Sequence, residues 1–191
     1  FIYVTAQNVC YKLDPDLNIK SYYILPIKGQ PGSTSIYNSM KVLSNGNIIC
    51  KGFFEPSRKG KQPYAIITVL GTNLSLIKDI PLPEASYGRL SVHIHNNKEY
   101  VYVTGDTTLI RYEHRPGEDP PLVLDTSWSY QYRDATTRLQ TAGGAAICMG
   151  DNVYFTDSAQ PGNVGPIRLH RVNLDNAADA SVFVPFPGTR N

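Results

Sequence analysis

Three aromatic side chains alternate along one stretch of this sequence, Trp128, Tyr130 and Tyr132, and Arg133, Asp134 and Arg138 follow them. In extended backbone alternate residues point to the same side, so the three rings would share a face. Such a face beside guanidinium groups suits stacking on sugars, bases or other planar ligands, and the guanidinium fork also holds carboxylates. The competing expectation is that the rings seal a gap in the core while the arginines are solvated. Asp157 closes the run Val153-Tyr154-Phe155-Thr156, and Asp106 stands just behind Val101-Tyr102-Val103-Thr104. A carboxylate so placed could be a general base or a cation ligand. It could equally accept backbone N–H bonds inside a turn. The candidate ligand-binding set is therefore Trp128, Tyr130, Tyr132, Arg133, Arg138 and Asp157.

Other chemistry-bearing residues are sparser. His93 and His95 alternate on one side of a strand-like run, a spacing that could chelate a metal, but no third ligand lies nearby in sequence. No metal site is assigned, and they read as structural or surface histidines. His114 and His170 are isolated and receive no role. Arg58, Lys59 and Lys61 surround Gly60 as a solvated hairpin tip would. Cys10, Cys50 and Cys148 each sit in an apolar run and read as small buried hydrophobes, with no zinc-like spacing. No Gly-x-Ser-x-Gly elbow, phosphate loop or His-Glu-x-x-His motif occurs, so those enzyme classes find no support.

The elements that must position these residues repeat along the chain. Ile2-Tyr3-Val4-Thr5, Ile48-Ile49-Cys50-Lys51, Val101-Tyr102-Val103-Thr104 and Val153-Tyr154-Phe155-Thr156 are alike, and Tyr3, Ile49, Tyr102 and Tyr154 are spaced by 46, 53 and 52 residues. Three of the four follow another strand-like run and a polar turn: residues 40–43 before Ser44-Asn45-Gly46-Asn47, 90–94 before Asn96-Asn97, and 145–149 before Gly150-Asp151-Asn152. Asn and Gly between apolar runs are hairpin chemistry, because tight hairpin turns need positive φ. Third strands are expected at 9–13, 64–70, 109–112 and 169–174, and fourth strands at 22–25, 76–80, 122–124 and 182–184. Pro26, Pro81, Pro121 and Pro185 flank the fourth strands, as befits edge strands that can spare a ladder donor. No window offers a convincing amphipathic helix.

The reading is all-β: four-stranded antiparallel units recurring every ~50 residues, the pattern of β-propeller blades. The blades fall at about 1–26, 35–83, 88–125 and 143–186 of one partial propeller domain spanning 1–191, the first lacking a strand. The sequence begins with Phe1 inside a repeat, so a piece of a larger ring is expected over a closed four-bladed one. The remainder of the ring, or a second copy, would then cover the apolar blade ends.

Val101-Tyr102-Val103-Thr104-Gly105 with Leu109-Ile110-Arg111-Tyr112 resembles the blade core of the YVTN and quinoprotein-like propeller group. So does Gly143-Gly144-Ala145-Ala146 through Gly150-Asp151-Asn152-Val153-Tyr154-Phe155-Thr156-Asp157. The resemblance covers nearly the whole chain and implies the fold. It implies a ligand face built from the loops between second and third strands (6–8, 53–63, 105–108, 157–166) and from the inter-blade connector 125–143. Lactonase-like members would use mouth carboxylates such as Asp157 and Asp106 as bases or calcium ligands. The Ala-x-Asp-x-x-Thr-Gly docking motif of quinoprotein dehydrogenases is absent, so no quinone cofactor is expected, and calcium is the one cation kept open.

The chain of 191 residues is 41% hydrophobic and carries 18 Lys plus Arg against 16 Asp plus Glu, a net charge of +2. That balance gives no electrostatic case for nucleic acid or an anionic membrane. No apolar run approaches the ~20 residues of a spanning helix. Compartment stays open, with secreted or periplasmic placement favoured by analogy alone. The leading expectation is a non-catalytic module that binds a ligand or protein partner on its loop face. The alternatives are a propeller-class hydrolase or oxidoreductase using channel carboxylates, and an assembly role.

Overall fold

The computed structural model describes residues 1–6, 8–24, 34–55, 64–84, 88–133, 144–158 and 167–186. Among the described residues there are strands but no helix, so none is long and apolar enough to cross a membrane. The chain divides into two compact units, Phe1–Ala85 and Ser86–Asn191.

In the first unit β1 (Ile2–Ala6), β2 (Val9–Leu13) and β3 (Ile19–Ile24) form a three-stranded sheet. The strands β4 (Thr34–Val42), β5 (Ile48–Glu55), β6 (Tyr64–Leu70) and β7 (Leu76–Pro81) form a four-stranded one. The second unit holds β8 (Leu90–His95), β9 (Lys98–Thr104), β10 (Thr108–His114) and β11 (Leu122–Gln131) in one sheet. Its other sheet comprises β12 (Ile147–Met149), β13 (Asn152–Ser158), β14 (Ile167–Asn173) and β15 (Ala180–Phe186). Every pairing is antiparallel and joins neighbours in sequence, so each sheet is a meander.

Turn chemistry explains why the chain reverses where it does. Asn96 and Asn97 both take positive φ, 50° and 61°, between β8 and β9, as a two-residue hairpin turn demands. Gly46 takes φ 84° between β4 and β5, where the Asn45 side chain accepts the Asn47 N–H at 3.0 Å. Pro81 and Pro185 lie in the edge strands β7 and β15, where no ladder donor is missed.

Several strands run longer than the sequence suggests, and two of them take up residues expected in loops. The fourth strand expected at 122–124 is β11, which continues to Gln131, so the first seven residues of the expected connector are sheet. Its ladder passes from Tyr112↔Leu124 to Ile110↔Ser129, and the residues between bulge opposite Arg111. The Asp125 carboxylate stabilises that bulge by accepting the Ser127 N–H and hydroxyl at 3.0 and 2.6 Å and Arg111 Nε at 2.9 Å. Likewise Phe53–Glu55 belong to β5 rather than to a loop.

Within each unit the two sheets share a core. In the first, Cys10 on β2, with Tyr3 of β1 and Tyr23 of β3, meets Ile48, Cys50, Phe54 and Leu70 of the facing sheet. In the second, Tyr102, Leu109 and Trp128 meet Val153, Phe155 and Val172. Fully burying each such aliphatic or aromatic side chain contributes about 1.5–3 kcal/mol.

Candidate functional site

Side-chain alternation on β13 sends Val153, Phe155 and Asp157 to one face. Pairing with β14 sets Val172, His170 and Arg168 opposite them on that same face. Asp157 is thus a strand residue, not a turn residue, and its carboxylate points inward with no side-chain exposure. Oδ1 accepts Arg168 Nε at 2.8 Å and His170 Nε2 at 2.8 Å. Oδ2 accepts Arg133 Nε at 2.9 Å and a short bond from Arg168 Nη2. Burial alone would push this carboxyl up, but the bonds from His170, Arg168 and Arg133, with the Arg168 charge, hold it well below the usual carboxylate range. The same carboxylate raises the Arg168 pKa.

Because the ionised carboxylate only accepts, His170 Nε2 carries a proton. The other ring nitrogen, Nδ1, lies 3.2 Å from the Tyr130 hydroxyl, which donates to it when the imidazole is neutral. Phe155 stacks on His170 with centroids 4.6 Å apart and planes 9° from parallel. Tyr132 meets the Phe155 ring at 4.9 Å and donates its hydroxyl to the Gly105 carbonyl at 2.6 Å. Its own carbonyl accepts Arg168 Nη2 at 3.4 Å.

Four of the six residues singled out from sequence therefore converge here: Tyr130, Tyr132, Arg133 and Asp157. Trp128 belongs to an adjoining layer and is enclosed, 1% exposed. Its indole N–H donates to the Asn173 carbonyl at 3.1 Å, and its ring meets Tyr102 edge-on at 5.5 Å. The Arg111 guanidinium lies 4.9 Å from the indole and 4.3 Å from the Tyr100 ring, while pairing with Asp125. Arg138 lies outside the described residues, as do Asp134, Arg58, Lys59 and Lys61.

Arg168 and His170 complete the cluster, and neither stood out in the sequence. A usable signal was present, since both fall as far after Gly162-Asn163 as Asp157 and Phe155 fall before it. Placing a hairpin turn there gives the observed register. His114 is also paired, with Glu99 Oε2 at 2.5 Å from Nδ1. His95 Nε2 lies 2.8 Å from Asp175 Oδ1, while burial, then the His95 charge, lowers the His93 pKa. Among the described residues no group of three or more His, Cys, Asp or Glu is placed to hold a metal ion. Asp157 has about four acceptor positions, and cationic or N–H donors occupy them. What the arrangement offers chemically is a fully engaged carboxylate beside two guanidiniums rather than a free base.

No family model matches the sequence, and no curated protein matches it.

Proposed function

We propose that the chain is a non-catalytic binding module built of β-propeller blades, and that it grips an acidic, planar group of a ligand or partner at the Arg133–Arg168–Tyr130 corner. Four antiparallel meanders of three or four strands support the blade reading, as does the resemblance of the Val101–Tyr112 and Gly143–Asp157 stretches to the YVTN and quinoprotein-like group. The binding reading rests on the cluster's geometry. Two guanidiniums converge on one buried carboxylate, and the Arg168 side chain keeps 25% of its surface in solvent. The adjacent Tyr130 ring is half-buried and offers a stacking edge. A carboxylate held this far down takes no proton near neutral pH, which weighs against the lactonase-like alternative.

A thermal-shift panel of dicarboxylates, sugar acids and nucleotides tests this reading. At least one of these classes should raise the Tm of the native chain. Arg168→Lys keeps the charge beside Asp157 but loses the planar fork, so it should abolish that rise. A panel without a stabilising compound, or one indifferent to Arg168→Lys, refutes the proposal.

Assembly is a second reading, favoured by one observation. Ile2, Val4, Tyr22 and Ile24 are all exposed on the side of the β1–β3 sheet turned away from its partner sheet.

A further inference from the structure

In the Phe1–Ala85 unit three sulfur atoms meet between the two sheets. Cys10 comes from β2 and Cys50 from β5, and both are wholly enclosed. Met40 on β4 is the cross-strand partner of Cys50, so the two side chains stand next to each other on the same face. The Cys10 thiol lies 3.8 Å from Met40 Sδ. All three belong to one core cluster, and both thiols are free.

We propose that Cys10, Cys50 and Met40 form a binding site for a soft monovalent metal ion of the copper(I) class. Thiolate and thioether donors select such ions over hard cations. A structural zinc site takes four ligands, whereas this group supplies three, all sulfur. With metal–sulfur bonds of about 2.3 Å, trigonal donors stand about 4.0 Å apart, close to the separation of Cys10 and Met40. A direct disulfide fits less well. Stacked sheets lie about 10 Å apart, and a disulfide spans Cα atoms only about 4.4–6.8 Å apart.

On binding, the ion replaces one thiol proton, which leaves to solvent, so the enclosed site stays neutral and no electrons move. Met40 is only half-buried, so of the three sulfur residues it is the one that meets solvent.

The test uses the whole chain carrying Cys148→Ser, so that the half-buried third thiol cannot compete. Copper(I) is supplied without oxygen as its bicinchoninate complex, and loss of that complex's colour counts the ions withdrawn. One ion per chain is expected. Cys10→Ser or Cys50→Ser should abolish the withdrawal, and Met40→Leu, which conserves volume, should raise Kd about tenfold with the fold intact. Should a serine variant fail to fold, the native chain answers the question by itself. In moderate urea copper(I) should shield Cys10 and Cys50 from N-ethylmaleimide and leave Cys148 reactive. No withdrawal, withdrawal that survives Cys10→Ser, unchanged affinity in Met40→Leu, or alkylation indifferent to copper(I) would each overturn the proposal.

Discussion

A carboxylate without solvent contact persists only when its charge and its lone pairs are both answered, and at Asp157 three side chains do this. Removing the charge should be costly because Arg133, only 6% exposed at its side chain, would be left facing a neutral amide. Asp157→Asn is expected to destabilise the protein by about 3–5 kcal/mol, the range for breaking a buried pair, as read by urea denaturation. The pH dependence follows from the depressed pKa. The folded carboxyl binds its proton less readily than the unfolded one, whose pKa is near ~3.9. Its contribution is therefore fully present above that value and drains away as pH falls toward the folded pKa. Native stability should fall steeply below about pH 4, and the Asn variant should lose the Asp157 share of that slope. Parallel slopes would show that Asp157 is not the group protonated.

At the scale of elements, two glycines show how the sheets of the second unit begin. Gly88 and Gly144 each stand two residues before a buried one, Leu90 and Ala146. Each passes close to the threonine near the end of its sheet's second strand. A Cβ on Gly88 would lie 1.7 Å from the Thr104 carbonyl oxygen, and one on Gly144 2.6 Å from Thr156 Oγ1. Backbone cannot yield, whereas a hydroxyl can turn aside. Gly88→Ala should therefore cost more than Gly144→Ala, within or above the ~1–3 kcal/mol of an overpacked site, in paired urea titrations. Equal costs would mean that the β8 entry shifts as readily as a side chain does. Strands such as 101–104 and 153–156 were legible because branched and aromatic residues cluster between Asn and Gly turns, a local pattern. The length of β11 was not legible, because it depends on Arg111 and Asp125 meeting across a bulge. The alternation of Trp128, Tyr130 and Tyr132 was visible, but much of what encloses them lies on the other sheet, on β13 and β14. His170 looked isolated for that reason, and Arg168 drew no notice: each matters through its register with β13, which composition within a window does not carry.

At the scale of the whole molecule, each unit has a sheet that carries large apolar side chains on its outward face as well as toward the core. On the β1–β3 sheet Tyr3, Cys10 and Tyr23 pack inward, while Ile2 and Val4 alternate outward beside Tyr22 and Ile24, 61% and 53% exposed. On the β12–β15 sheet Phe155, His170 and Val172 face the core, and Ile147, Met149, Ile167 and Phe183 face away, exposed. A strand facing water on one side ordinarily reads as apolar and polar in turn. Here many outward positions are apolar instead, so these surfaces are composed for contact with another sheet, whether a further blade or a second copy. Left uncovered they should cause association, since contiguous apolar patches of this kind are rare on monomers. The 191-residue chain should show a light-scattering mass above 21.2 kDa that grows with concentration. Val4→Lys with Ile24→Lys places two like charges on the outward face of β1 and β3 without touching the Cys10 core. That variant should return the mass toward the monomer while its Tm holds, because exposed substitutions shift stability by only about 0.5 kcal/mol. A native chain that stays monomeric at every concentration would mean that these faces tolerate water, and the assembly reading would fall while the Asp157 corner stood unaffected.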